Sequence, residues 1–271
     1  MIESIAFLAG LLVGSFLNVC VYRLPRDLSV VRPRSFCPNC EKMIAWYDNI
    51  PIASYVLLGG RCRHCRARIP LRYPLVELAT AAAFAVCFAA PGTTLAAAKY
   101  AIFSAILIAL TASDFEERIL PDEFTLGGTA AGLALAPWVP MELGWAHILL
   151  PPWLGPRWLS FGEAALAAGF SSGMIWLVAW LYEKLRHREG LGFGDVKMIA
   201  MIGAFLGLKG ALLALIAASL LGSVAGLGYI FLTRKDASTY ELPFGSFLGI
   251  AALAVAMFGE VAAGWYSRLG A

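Results

Sequence analysis

The chain has 271 residues, of which 60% are hydrophobic and only 14% charged, and its mean hydropathy is +0.74. This composition excludes an ordinary water-soluble domain, because so much apolar surface would drive aggregation in water. The net charge is +3, which we interpret as a result of membrane topology and not of nucleic-acid binding.

Long apolar segments predict an all-α polytopic membrane protein, because about 20 apolar residues cross a bilayer core of roughly 30 Å. A transmembrane barrel is disfavoured, since the runs of Leu, Ala and Ile lack polar alternation. We predict eight spans, the second, fourth and sixth of them shorter than ideal. They are approximately Ile5 to Tyr22, Leu75 to Ala90, Leu95 to Ser113, Phe124 to Val139, Gly162 to Tyr182, Val196 to Leu208, Ala211 to Leu232 and Phe244 to Trp265.

The basic residues predict the orientation of these spans. Of the 21 Lys and Arg residues, 17 lie in the loops on one side, which the positive-inside rule places in the cytosol. We expect the first span to be retained and not cleaved as a signal peptide, because Glu3 replaces a basic start and no A-x-A site follows. The predicted organisation is a first helix (1–22), a cytosolic insert (23–73) and a transmembrane bundle (74–271).

The insert carries two C-x-x-C motifs, which predict a structural metal site. Cys37 and Cys40 form the first motif, and Cys62 and Cys65 form the second after 21 intervening residues. Disulfides are disfavoured in the reducing cytosol, and four thiolates at this spacing suit tetrahedral zinc. Such a site would be closed, because four sulfur ligands leave no position for a reacting water.

Two aspartates lie at predicted cytosolic ends of spans. Asp114 ends the third span, and Asp195 follows the glycines of Gly190-Leu191-Gly192-Phe193-Gly194 at the start of the sixth. Taken singly, Asp114 also fits an interfacial charge and Asp195 an N-cap. Together they suit peptide hydrolysis, because two close carboxyls share a proton and divide the roles of general base and general acid.

Short motifs are spread along nearly the whole chain. They are Gly14 to Asn18, Tyr22 to Pro25, the four cysteines, Trp46 to Pro51, Arg72 to Leu78, Leu120 to Asp122, Gly192 to Asp195 and Pro243 to Gly245. In these motifs and their order the chain resembles the type IV prepilin peptidases, a family of membrane aspartyl proteases with N-methyltransferase activity. One departure is Glu116, which stands where many relatives have a second aspartate.

The resemblance implies a catalytic pair of Asp114 and Asp195 in the cytoplasmic, or inner, membrane, with the active site facing the cytosol. It further implies prepilin or pseudopilin substrates, which lose a basic leader and are then methylated with S-adenosylmethionine as donor. The acids of the loop from Asp114 to Glu123, notably Glu116 and Glu117, would attract that leader.

Two other functions are compatible with the residues alone. Intramembrane acids also serve as relays in ion- or proton-coupled transporters, although these two border the cytosolic loops. A non-enzymatic membrane scaffold built around a zinc site is the other alternative.

Three further polar residues have open roles. Asn18 suits an interhelical hydrogen bond or a substrate contact, Glu77 a ligand contact or a helix-start charge, and Asp122 structural support.

Overall fold

The structure is a computed structural model that describes residues 1–141, 144–151, 153–187, 192–233 and 243–269. Within these ranges the chain is helical and has no strand, which confirms the predicted all-α class. Two 3₁₀ turns, Leu24–Arg26 and Trp46–Asn49, accompany nine α-helices in the described part of the chain. The helices are α1 (Ile2–Arg23), α2 (Ala53–Leu57), α3 (Arg72–Ala89), α4 (Thr94–Glu117), α5 (Asp122–Leu135), α6 (Ala146–Leu149), α7 (Pro156–Arg186), α8 (Phe193–Thr233) and α9 (Phe244–Leu269).

Five helices in the described ranges are long and apolar enough to cross a membrane, namely α1, α3, α4, α7 and α8. A multi-pass membrane protein is thereby confirmed, but the predicted count of eight spans is not. The helix α5 has 14 residues, which is short for a bilayer. The predicted sixth and seventh spans both lie in α8. Near the end of the sixth, Gly207, with φ of 71° and ψ of 179°, interrupts the helix.

The chain divides into two compact units, Met1–Ser113 and Asp114–Ala271. The division that we predicted at residues 22 and 73 follows membrane topology and stays a prediction. In the first unit α1 packs against α3, and Gly14 allows the close contact, because a Cβ atom there would lie 2.7 Å from the Cα of Glu77. The cysteine-containing insert connects these two helices in the sequence.

In the second unit α8 packs against α5, α7 and α9. The contact with α7 is close at Gly203, where a Cβ atom would lie 2.8 Å from the backbone of Ala167. At the interruption of α8, the buried Glu163 of α7 accepts a hydrogen bond from the N–H of Leu208 (3.4 Å). Its other oxygen accepts bonds from the N–H groups of Gly144 (3.1 Å) and Ala146 (2.8 Å). One carboxyl group therefore satisfies backbone donors that the break in α8 and the loop before α7 leave open.

Candidate active site and metal site

Asp114 lies in the last turn of α4, and only 6% of its surface is exposed. The helix ends just beyond it, because Arg118 adopts a left-handed conformation (φ 57°) and donates its N–H to the carbonyl of Asp114 (3.1 Å). A new helix, α5, begins at Asp122 directly after Pro121. The local sequence thus fixes a buried carboxyl group at a helix end beside a short loop.

Asp195 lies in the first turn of α8 and is half-buried. Its backbone N–H donates to the carbonyl of Gly192 (3.1 Å). Since α8 begins at Phe193, Asp195 does not take the N-cap position that the sequence also allowed. Gly190 and Leu191, the first part of the glycine motif, lie outside the described residues.

The two carboxyl groups meet beside Gly245, at the start of α9. A Cβ atom on Gly245 would lie 3.1 Å from the Cγ of Asp114 and 3.1 Å from the Oδ1 of Asp195. The Cγ of Asp114 and the Oδ1 of Asp195 are therefore no farther apart than twice 3.1 Å. The two carboxyl groups also interact electrostatically. Two neighbouring carboxyls that interact in this way can share one proton, and a side chain at position 245 would crowd both.

Ser246 distinguishes the two carboxyls. It is 1% exposed, and both its N–H (2.6 Å) and its hydroxyl (2.7 Å) donate to the Oδ2 of Asp114. Among the residues that the structure describes, none donates a hydrogen bond to the carboxyl of Asp195. The pair is therefore asymmetric, with one oxygen of Asp114 serving as a double acceptor.

Side-chain packing and an ion pair hold the starts of α5 and α8 close to Asp114 and Asp195. Leu120 lies against Gly194, where a Cβ atom would be 3.1 Å from the Cβ of Leu120. Lys197 of α8 binds both carboxylate oxygens of Asp122 in α5, at 2.7 and 2.9 Å. This ion pair ties the first turn of α5 to the first turn of α8, two residues beyond Asp195.

The second site is formed by the insert, whose two C-x-x-C motifs fold into matching turns. The N–H of Cys37 donates to Lys42 and that of Cys62 to Ala67, at 3.0 and 2.9 Å. Glu41 and Arg66 take equivalent left-handed positions, with φ of 57° and 59°. Each motif thus forms the same tight turn, which aims two sulfur atoms in one direction.

The four sulfur atoms form a cluster that can hold a metal ion. All lie within 4.8 Å of one another, and the Sγ atoms of Cys37 and Cys65 are 3.8 Å apart. A tetrahedral zinc with Zn–S bonds of about 2.3 Å requires S···S separations of about 3.8 Å. The N–H of Ala67 and the amide of Asn39 lower the pKa of Cys65 to about 6, whereas desolvation and the neighbouring thiols raise the pKa of Cys40 to about 11. Cys65 is therefore the thiol that is most readily deprotonated for a metal. Arg63 braces the second turn through a double hydrogen bond to Asp48 (2.7 and 2.6 Å).

Two polar residues in the first unit make contacts between its elements, Asn18 between α1 and α3 and Glu77 between α3 and the insert. The amide of Asn18 donates to the carbonyl of Tyr73 in α3 (3.0 Å), so the interhelical bond that the sequence allowed is present. Glu77 is 8% exposed and lies in the second turn of α3, so it is not a helix-start charge. Its Oε2 accepts the N–H of Ile52 (2.8 Å), which anchors the insert at a strained residue with φ of 58°.

The structure thus brings together Asp114 with Asp195 and, separately, Cys37, Cys40, Cys62 and Cys65. Sequence reasoning missed Ser246 and Lys197, which contact Asp114 and Asp122 respectively. Their only signal was position, since Ser246 follows the Pro243 to Gly245 segment and Lys197 lies two residues after Asp195.

Apolar spanning helices, two neighbouring carboxyl groups at helix ends and a separate tetracysteine cluster define a multi-pass membrane protein with two candidate functional sites. Family models agree with this class. Residues 8–90 match the bacterial Peptidase A24 N-terminal domain, and residues 101–227 match the type IV leader peptidase family. No solved structure shows a significant match.

Similar proteins extend the match to the whole chain. A prepilin leader peptidase/N-methyltransferase of Aeromonas hydrophila is 34% identical over 97% of this chain and 93% of its own. A protein of that description from Pseudomonas aeruginosa is 33% identical over 93% and 89%. One from Myxococcus xanthus is 40% identical over 84% of this chain and 63% of its own. The chain belongs to the family of prepilin leader peptidase/N-methyltransferases, and it is a membrane enzyme with peptidase and methyltransferase activity.

Proposed function

We propose that this enzyme removes the basic leader of type IV prepilins or pseudopilins at the cytosolic surface of the inner membrane, with Asp114 and Asp195 as its catalytic pair. The observation that carries the proposal is the convergence of the two carboxyls on Gly245. The transporter alternative has no support from the comparisons, and both acids lie in terminal turns of their helices, not at mid-span.

The hydrogen bonds around the pair suggest how the two acids divide the work. Because Ser246 donates twice to Oδ2 of Asp114, that oxygen acts as an acceptor and does not carry the shared proton. Asp195, which has no such donor among the described residues, is then the acid that holds it. Asp114 is accordingly the general base and Asp195 the general acid.

Peptide hydrolysis follows from this arrangement. Asp114 takes a proton from a water molecule, and the oxygen of that water attacks the scissile carbonyl carbon. Asp195 gives its proton to the carbonyl oxygen. When the tetrahedral intermediate collapses, the proton on Asp114 passes to the leaving nitrogen, and a hydroxyl of the intermediate returns a proton to Asp195. Both acids end in their starting states, so no other nucleophile is needed.

The charge of the neighbouring loop suits a basic leader. Glu116 and Glu123 are exposed, whereas Asp122 is bound to Lys197. Exposed acids beside the catalytic pair would raise the local concentration of a basic segment. Such a loop favours a substrate that carries Lys or Arg close to the bond that is cut.

The proposed cofactor of the insert is zinc, held by Cys37, Cys40, Cys62 and Cys65. Four sulfur ligands close the coordination shell, so its role is structural. The proposed methyl donor is S-adenosylmethionine, which supplies a methyl group on a sulfonium for transfer to the new N-terminal amine. Neither group takes part in the peptide hydrolysis described above.

The test is the replacement of each aspartate by asparagine, which keeps the size of the side chain but removes the exchangeable proton. We expect Asp114→Asn and Asp195→Asn to abolish cleavage of a purified prepilin in detergent. The double variant should be no worse than either single one, because either loss already disables the pair. Asp27→Asn, at an exposed residue of the first unit, is the matched control and should cleave normally.

Metal content and elution as a single species establish that each variant is folded. Cleavage by a folded Asp114→Asn or Asp195→Asn protein would contradict the catalytic assignment. Methylation of a substrate that is supplied already cleaved should survive in both variants. Its loss in both would assign the two activities to one shared site.

A further inference from the structure

Leu120 is an apolar side chain that lies beside both acids of the proposed catalytic pair. A Cβ atom on Gly245 would lie 3.0 Å from the Cδ1 of Leu120 and 3.1 Å from an atom of each of the two carboxyl groups. A Cβ atom on Gly194 would lie 3.1 Å from the Cβ of Leu120 and 3.2 Å from its Cδ1. Leu120 therefore covers two glycines in the first turns of α8 and α9, next to the carboxyl groups.

The backbone on either side holds Leu120 in this position. Before it, α4 ends at the left-handed Arg118, whose N–H donates to the carbonyl of Asp114 (3.1 Å). After it, the carbonyl of Pro121 accepts the N–H of Thr125 (3.1 Å) in the first turn of α5. Only two residues separate Arg118 from Pro121, so Leu120 cannot move away from the acids unless α4 or α5 also moves. Its side chain is a fixed wall of the site.

This wall is available to a substrate because Leu120 is only half-buried. A peptide bond that reacts with both carboxyls must come within hydrogen-bond reach of them. The substrate residues that flank this bond then lie against the groups that surround the acids. At Gly194 and Gly245 those groups are backbone atoms, and at Leu120 they are methyl groups. A large substrate side chain would overlap these methyl groups, whereas a small one would fit.

The charge of the loop indicates which part of the substrate meets Leu120. Leu120 belongs to the same loop region as Glu116 and Glu123, which are both exposed. The proposed leader is basic, so the leader part of the substrate is attracted to the side of the site where these acids lie. Leu120 then faces the residue on the leader side of the bond that is cut.

We propose that Leu120 sets the substrate specificity of the peptidase by admitting only a small residue immediately before the bond that is cut. This role rests on the proposed catalytic pair and extends it to a side chain that exchanges no proton. The alternative is a purely structural leucine that packs on Gly194. Loss of such a leucine would change the stability of the protein but not its choice among substrates.

The experiment compares substrates within each protein. Purified prepilins with glycine, alanine or valine immediately before the bond are cleaved by the detergent-purified full chain, and kcat/KM is measured for each. One methylene too many in a filled apolar site changes kcat/KM by about 10- to 200-fold. We therefore expect wild type to cleave the valine substrate about a hundredfold less efficiently than the glycine substrate, and Leu120→Ala to recover at least about tenfold of that difference.

Two controls accompany Leu120→Ala. Leu120→Met conserves the volume of the side chain and should keep the wild-type ratio of valine to glycine cleavage. Leu126→Ala makes the same substitution at an exposed leucine of α5 and should also keep it. The ratio is measured within one protein, so it does not depend on how much of that protein is folded. If Leu120→Ala yields no folded enzyme, Leu120→Val replaces it and should raise the ratio by a smaller factor.

Each outcome decides the proposal. A higher ratio in Leu120→Ala, with the wild-type ratio in Leu120→Met and Leu126→Ala, supports it. An unchanged ratio in a folded Leu120→Ala enzyme, or a wild-type enzyme that cleaves all three substrates equally, overturns it. The peptidase proposal stands in both cases if Asp114→Asn is inactive. A second substrate series, varied at the residue after the bond, tests the leader-side assignment, and relaxed selection there alone would overturn it.

Discussion

Ser246 provides the sharpest test of how the acid pair is arranged. Replacing it by alanine removes the hydroxyl that donates to Oδ2 of Asp114 at 2.7 Å, while the backbone N–H donor at 2.6 Å remains. A hydrogen bond to a charged group contributes about 1.5 to 3 kcal/mol. If that bond positions the general base in the transition state, its loss lowers kcat by roughly ten- to a hundredfold.

The Michaelis constant should change little, because Ser246 is 1% exposed and is screened from a bound peptide. Steady-state cleavage of a purified prepilin gives both constants. Ser246→Thr keeps a hydroxyl at this position and should restore much of the rate. Ser219→Ala is the matched control, since the hydroxyl of that exposed residue donates to the carbonyl of Leu215 within its own helix.

Two results would refute the reasoning. A Ser246→Ala enzyme with kcat within twofold of wild type would mean that the hydroxyl does not position Asp114. If Ser246→Thr is as slow as Ser246→Ala, then the size of the side chain at this position matters and its hydroxyl donor does not.

Three other perturbations test the proposed sites. Changing Cys62 and Cys65 together to serine should remove the roughly one zinc per chain measured by metal analysis, and unchanged metal content would contradict the assigned ligands. Changing Glu116 and Glu123 to glutamine should raise the Michaelis constant most at low salt, because exposed charges are screened. A salt dependence like that of wild type would exclude steering by these acids. Gly245→Ala places a methyl group 3.1 Å from both acids, so cleavage should fall about a hundredfold, and an active, folded variant would contradict the geometry of the pair.

The sequence predicted the class of fold and the clustering of the four cysteines because each depends on local pattern. Apolar runs determine helices that suit a membrane, and the paired C-x-x-C motifs restrict each pair of thiols to one tight turn. In the described ranges the structure confirms helices without strands, and it places all four sulfur atoms within 4.8 Å of one another. Asp114 and Asp195 were identified by their place at helix ends and by resemblance.

The closeness of the two acids could not be predicted, because 80 residues separate them and their meeting depends on how α4, α8 and α9 pack. Ser246 was missed for a related reason. A serine after a glycine near a helix start is common, and only its approach to Asp114 gives it a role. The predicted count of eight spans stays a prediction, although the break of α8 at Gly207 lies close to the predicted boundary between the sixth and seventh spans.

Glu163 illustrates where hydropathy misjudges a membrane protein. A scale of transfer energies would rank leucine above glutamate in a helix such as α7. Here the carboxylate accepts the N–H groups of Gly144, Ala146 and Leu208, so an apolar replacement would leave three backbone donors without their acceptor. An apolar residue in place of Glu163 would make α7 more lipophilic but would weaken the fold. The loss would destabilise α8, the helix that carries Asp195.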